Sequence, residues 1–127
     1  MQDSVIQESV PLARDGDTIA EVRSLSSENW EKELDSGRKL LLIGNSSCQA
    51  CAEWKNELAE WTPPDGLAIL EIQLDQPGLG RFKIEHPWIA SIQILPFNAI
   101  FNDGDIVEQW AGSGTSRLEE KLLSIMS

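Results

Sequence analysis

The sequence predicts an α/β protein in which a central mixed β-sheet carries helices on both faces. Apolar segments of strand length alternate with helical patterns along the chain, which indicates parallel strand pairing. Residues 40–43, which follow Lys39, form a continuous apolar run that is typical of a strand buried on both faces in the middle of a sheet. The Asp103-Gly104 pair between two later apolar runs predicts a hairpin, which adds antiparallel strands.

The first part of the chain gives weaker signals than the rest. Residues 1–17 are polar and show no sustained period, so we expect a loose N-terminal arm ahead of one domain over residues 18–127. Residues 18–25 predict a weak strand. A short helix capped by Ser26 should follow, and Gly37 is well placed to end it.

The second part of the domain contains the stronger patterns. Apolar residues recur with a 3.6-residue period through the cysteine segment, and strict alternation marks the strand after it. The remaining elements, in order, are a helix over residues 48–61, a strand over 67–75, a broken helical connection over 76–95, hairpin strands over 97–101 and 106–110, and a final helix that opens with a capping box at Ser116 and Glu119. The chain of 127 residues is long enough for one continuous core.

The two cysteines of the chain, Cys48 and Cys51, stand directly after the apolar run. Ser47 is a favourable N-cap, so Cys48 should be the first residue of the helix. Its sulfur would there face unpaired backbone N–H groups and the positive end of the helix dipole, which favour the thiolate. A thiolate with a second thiol one turn later suits disulfide exchange, in which Cys48 attacks a substrate disulfide and Cys51 resolves the mixed disulfide.

Three other interpretations of the cysteine pair compete with disulfide exchange. A structural zinc site needs about four ligands, and the chain adds only the distant His86. A purely structural disulfide across so short a loop would contribute roughly 2 kcal/mol, against about 4.7 kcal/mol for a hundred-residue loop. Two cysteines simply packed in a core have no reason to straddle a capped helix start. Redox chemistry is therefore the favoured interpretation, and it needs no metal or organic cofactor because the electrons reside on the two sulfurs.

Composition bears on partners and location. Ten basic and 21 acidic residues leave a net charge of −11, and such a surface repels the phosphates of nucleic acid. No apolar run reaches the roughly 18 residues of a membrane span. Residues 1–4 lack the basic n-region of a signal peptide. We therefore expect a cytoplasmic monomer that binds neither nucleic acid nor membrane.

Beyond the cysteines, the sequence resembles the thioredoxin superfamily over roughly residues 18–127. Leu95-Pro96 stands just before the first hairpin strand, where thioredoxins carry a cis-proline that faces the cysteines. Residues 101–106 read Phe-Asn-Asp-Gly-Asp-Ile and look like the family's Phe-Lys-Asn-Gly-Glu-Val hairpin. Gly112 falls where thioredoxins keep a glycine beside the active site.

The resemblance implies the thioredoxin fold and a thiol–disulfide oxidoreductase activity. Cys48 and Cys51 would be the catalytic pair, and the partners would be protein thiols or disulfides together with a reductant or oxidant. Leu95, Pro96 and Gly112 would form the surface that docks an extended substrate segment. The alternative is a thioredoxin-like binding module or redox sensor with little or no turnover.

The sequence departs from the thioredoxin pattern at positions that assist the chemistry. The family's buried aspartate would fall at Leu42, its associated lysine at Glu71, and its active-site aromatic residue at Gly44. Glu53 and Glu71 are the nearby carboxylates. Solvated surface residues are the favoured interpretation of both, and a role as proton acceptors for Cys51 is the alternative. Deprotonation of Cys51 should then be slow near neutral pH, because no buried acid takes its proton.

Overall fold

The computed structural model describes residues 21–126, which form a five-stranded mixed sheet with helices on both faces. The expected arm over residues 1–17 lies outside the described residues. In chain order the elements are β1 (Val22–Ser24), α1 (Trp30–Leu34), β2 (Arg38–Gly44), α2 (Gln49–Ala59), β3 (Leu67–Gln73), α3 (Gly80–Glu85), a 3-10 turn (Pro87–Ser91), β4 (Phe97–Asn102), β5 (Asp105–Ala111) and α4 (Thr115–Met126).

The strand order β1-β3-β2-β4-β5 confirms that β2 is the central strand. It pairs with β3 in parallel and with β4 in antiparallel orientation. Its residues Leu40–Ile43 are fully buried, as the continuous apolar run predicts. The hairpin of β4 and β5 turns at Asp103-Gly104, where both residues have positive φ, so the prediction of a two-residue hairpin turn is confirmed.

Side chains alternate across the sheet and divide the core into two layers. On one face, Leu41 and Ile43 pack with Trp30 and Leu34 of α1 and with Phe82 of α3. The other face is covered by α2 and α4, and its buried residues are Leu40, Leu42, Trp54, Leu58, Leu67, Ile69, Ile100, Trp110, Leu118 and Leu122. None of the described helices is both long and apolar enough to cross a membrane.

Three predicted helix starts were wrong. The N-cap of α1 is Asn29, not Ser26, because the chain first makes a turn over residues 27–29. The N-cap of α2 is Cys48, not Ser47, because the side chain of Ser47 donates instead to Asn45 at 3.1 Å. The final helix begins at Thr115, so Ser116 does not cap it, and the carboxylate of Glu119 accepts from the indole of Trp61. The hydrogen bonds that these side chains make with other residues therefore decide where each helix begins.

Candidate redox site

The loop between β2 and α2 is held in place by side-chain hydrogen bonds. The Asn45 Oδ1 atom accepts from the backbone N–H and the hydroxyl of Ser47, each at 3.1 Å. Asp75, which follows β3, accepts from the backbone N–H of Ser46 at 3.1 Å and from its hydroxyl. The side-chain and backbone hydrogen bonds from Ser46 hold the pKa of Asp75 below its ordinary range, so this residue is a carboxylate at neutral pH.

Cys48 ends this loop and caps α2 with its own sulfur. The backbone N–H of Cys51 donates to the Cys48 Sγ atom at 3.1 Å. The two residues form a disulfide, with their Cα atoms 5.2 Å apart. Cys51 is only 4% exposed, whereas Cys48 is partly exposed. In the reduced protein, this N–H donor and the helix N-terminus would favour a thiolate at Cys48, while burial would favour the thiol at Cys51.

Gly44, the last residue of β2, lies directly under Cys51. A Cβ atom added at Gly44 would lie 2.8 Å from the Cys51 Sγ atom and 2.9 Å from its Cβ atom. Real side chains do not approach so closely, so any other residue here would displace the first turn of α2. Gly44 stands where thioredoxins carry an aromatic side chain. Because it has no side chain, α2 can pack closely against the sheet at this position.

We expect Gly44→Ala to lower the free energy of unfolding by about 1–3 kcal/mol, because the added methyl group overpacks the contact with Cys51. Gly80→Ala is the matched control, since a Cβ atom at Gly80 meets nothing within 4 Å. Alanine there should be neutral or stabilise α3 by up to about 1 kcal/mol. Urea unfolding of the oxidised proteins measures both. Equal stability of Gly44→Ala and wild type would contradict the packing described here.

Asn98 is a fully buried polar residue on β4 that joins α2 to the loop after β5. Its Oδ1 atom accepts from the indole N–H of Trp54 at 2.8 Å. Its amide nitrogen donates to the carbonyl oxygens of Gly112 at 2.7 Å and Trp110 at 3.3 Å. Asn98 therefore fixes the loop that carries Gly112 relative to the cysteine helix.

The predicted docking residues lie on two neighbouring loops, one before β4 and one after β5, which a backbone hydrogen bond connects. The Leu95–Pro96 peptide bond is cis, Pro96 is buried and Leu95 is half-buried. The backbone N–H of Gly112 donates to the Pro96 carbonyl at 2.8 Å. Gly112 has a φ of 98°, in the left-handed region that favours glycine. The role of these residues in substrate docking stays a prediction.

Glu71 corrects the interpretation drawn from sequence. It is 5% exposed and is not a solvated surface residue. It lines a cavity of about 230 Å³ together with Cys48, Cys51, Lys55 and Gln73. Glu53, in contrast, is exposed and accepts from the Gln49 amide at 3.2 Å, as a surface carboxylate would.

Sequence reasoning missed Asp75, Asn98 and the burial of Glu71. Asp75 and Asn98 follow or interrupt apolar strands, but nothing local indicates which partners they meet. His86 follows α3, where its Nδ1 atom lies 2.8 Å from the Phe82 carbonyl, and it does not line the cysteine cavity. Within residues 21–126, no group of three or more His, Cys, Asp or Glu side chains is placed to hold a metal ion.

The sheet topology and the Cys-X-X-Cys pair at the start of α2 define a protein of the thioredoxin fold. Solved structures with this fold include thioredoxin f from spinach chloroplast, with a TM-score of 0.63, 13% identity, and coverage of 88% of this chain and 99% of that one. Thioredoxin NaTrxh from Nicotiana alata has a TM-score of 0.65 and 17% identity, covering 87% of this chain and 96% of its own.

A third similar structure is thioredoxin f2 from Chlamydomonas reinhardtii, with a TM-score of 0.67, 10% identity, and coverage of 82% of this chain and 95% of that one. No protein-family model and no curated protein matches the sequence. The likeness to known proteins is therefore one of fold, and it agrees with the resemblance that the sequence motifs indicate.

Proposed function

We propose that this protein is a thiol–disulfide oxidoreductase that exchanges its Cys48–Cys51 pair with the thiols and disulfides of other proteins. The observation that carries the proposal is the position of the Cys48 sulfur, which caps α2 and accepts the Cys51 N–H at 3.1 Å. A sulfur in this position is stabilised as a thiolate, and the thiolate is the nucleophile of disulfide exchange.

The exchange proceeds in two displacements. The Cys48 thiolate attacks one sulfur of a substrate disulfide, which breaks that S–S bond, forms a mixed disulfide and releases the first substrate thiolate. Cys51 then loses its proton and attacks the Cys48 sulfur, which forms the Cys48–Cys51 disulfide and releases the second thiolate. The substrate gains two electrons and the protein loses two. An external thiol reductant restores the protein, and the reverse sequence oxidises a substrate.

The difference in exposure between the two cysteines supports this division of roles. A substrate disulfide reaches the partly exposed Cys48 more easily than Cys51, which is 4% exposed. Leu95, Pro96 and Gly112 form the proposed docking surface. Asn98 connects the Gly112 loop of this surface to α2, through its hydrogen bonds to Gly112 and Trp54.

Reduction of insulin disulfides by dithiothreitol tests the proposal. Wild-type protein should accelerate the reaction over dithiothreitol alone, and Cys48→Ser should remove the acceleration entirely because it removes the nucleophile. Ser47→Ala is the matched control, since its hydroxyl contacts only the loop residue Asn45 and should leave most of the rate. A wild-type rate equal to that of dithiothreitol alone would contradict the proposal and favour a binding module without turnover.

A further inference from the structure

We propose that Glu71 accepts the proton of Cys51 when the mixed disulfide is resolved, and that Lys55 holds Glu71 in place as a carboxylate. This inference rests on the proposed exchange function. It concerns the second displacement, in which a buried thiol must become a thiolate.

The polar contacts of Glu71 are those of a buried carboxylate. Lys55 of α2 lies 2.9 Å from its Oε1 atom in an ion pair. The hydroxyl of Ser24 on β1 donates to the same oxygen at 3.2 Å, and the Gln73 amide donates to Oε2 at 3.3 Å. A charge removed from water in this way persists only where donors surround it, and Glu71 has three.

The register of the sheet places Glu71 on the face that α2 covers. Glu71 pairs with Leu42 and Gln73 pairs with Gly44 across the parallel strands. Residues paired in this way point to the same face, about 4.8 Å apart. Glu71 therefore lies on β3, the strand next to Gly44, and on the same face of the sheet. Gly44 is the residue that contacts Cys51.

The cavity of about 230 Å³ connects the carboxylate with the sulfurs. Its lining includes both cysteines, Lys55 and Glu71. These four are the titratable groups among the lining residues. From the strands around Glu71 come the neutral side chains of Ser24, Leu42 and Gln73. The volume is large enough for water to complete a path between the two groups. Among the described residues that line the cavity, Glu71 is the only carboxylate.

The proton transfer fits the electron balance of the exchange. Cys51 is buried, and burial among apolar groups favours the thiol. Its proton passes to Glu71, the resulting thiolate attacks the Cys48 sulfur of the mixed disulfide, and the substrate leaves as a thiolate. The proton then leaves Glu71 through the cavity to solvent or to the departing thiolate. No further oxidant or reductant takes part.

Stopped-flow reaction of the reduced protein with 5,5′-dithiobis(2-nitrobenzoate) separates the two displacements. The first equivalent of thionitrobenzoate reports attack by Cys48, and the second reports resolution by Cys51. Glu71→Gln should slow the second phase by about 100-fold or more at neutral pH and leave the first phase near its wild-type rate. The second phase of this variant should rise steadily with pH, because hydroxide then removes the proton. Glu71→Asp should recover part of the rate.

Glu53→Gln is the control, since Glu53 is exposed and lies outside this cavity; both of its phases should match wild type. Lys55→Gln keeps the carboxylate and serves if Glu71→Gln fails to fold. Without the ion pair to Lys55, Glu71 is no longer held in place beside the cavity, so the second phase should slow while the first phase keeps its wild-type rate.

Three results would overturn the inference. One is a second phase in Glu71→Gln with the wild-type rate and pH profile, and another is an equal slowing of both phases, which marks a structural role. A second phase in Lys55→Gln at the wild-type rate is the third. Failure of the proposed function is distinguishable from all three, because wild type would then give no acceleration of insulin reduction over dithiothreitol alone, whatever the rates of the two phases.

Discussion

Cys51→Ser is expected to trap a substrate on the protein as a mixed disulfide with Cys48. The first displacement needs only Cys48, so the adduct should form at close to the wild-type rate. Release of the substrate should slow by about 1,000-fold or more, because an intramolecular thiol one helical turn away is replaced by dilute external thiol. Well-oriented intramolecular groups act at effective concentrations of up to about 10⁵–10⁸ M. A slowing of about 1,000-fold is therefore well within the rate advantage that Cys51 can supply.

Intact-protein mass spectrometry after mixing with an oxidised peptide measures the trap. The mass of Cys51→Ser should increase by that of one peptide thiol, and dithiothreitol should remove the adduct. Cys48→Ser is the matched control and should form little adduct, because Cys51 is 4% exposed. A faster adduct in Cys48→Ser than in Cys51→Ser would reverse the assigned roles of the two cysteines.

The second large effect is expected at Asn98. Asn98→Leu should lower the free energy of unfolding by about 2–5 kcal/mol, because each buried polar group that loses its partner costs about 1–3 kcal/mol. The groups left without this partner are the Trp54 indole N–H and the carbonyls of Gly112 and Trp110. Leucine has the same branched shape and the same number of side-chain heavy atoms as asparagine, so the substitution leaves no cavity and the lost hydrogen bonds should dominate the change.

Urea unfolding measures this change, and Asn56→Leu is the matched control. Asn56 is exposed on α2, so the same substitution there should change stability by no more than about 0.5 kcal/mol. Asn98→Leu should also lower exchange activity, because the loop that carries Gly112 loses a tie to α2. An Asn98→Leu protein as stable as the control would show that the buried hydrogen bonds are not important for folding.

The placement of the carboxylate near the cysteines illustrates how far sequence reasoning reaches. The resemblance places an acid at the position of Leu42, and Leu42 is indeed a fully buried apolar residue. The parallel register sets Glu71 beside it on the next strand. The alternation of Leu70 and Ile72 with Glu71 assigns Glu71 to the opposite face of β3. That face is also covered, by α2, so the alternation alone cannot show that Glu71 is buried.

The sequence by itself determined the order of the elements, the central position of β2, the hairpin turn at Asp103-Gly104 and the location of the cysteine pair after β2. These features follow from local periodicity, turn chemistry and chain connectivity, which act over a few residues. The same reasoning selected the candidate redox residues, because Cys48 and Cys51 are the only cysteines of the chain.

Only the tertiary structure decided which polar groups meet around that pair. Ser24, Lys55 and Glu71 come from β1, α2 and β3, and they meet because strand register and helix packing bring distant parts of the chain together. Asn98 likewise meets Trp54 across 44 positions of sequence. The strength of a hydrogen bond or an ion pair changes when the distance between its atoms changes by a few tenths of an ångström, and long-range packing sets those distances. The pattern of neighbouring residues along the chain therefore carries no record of them.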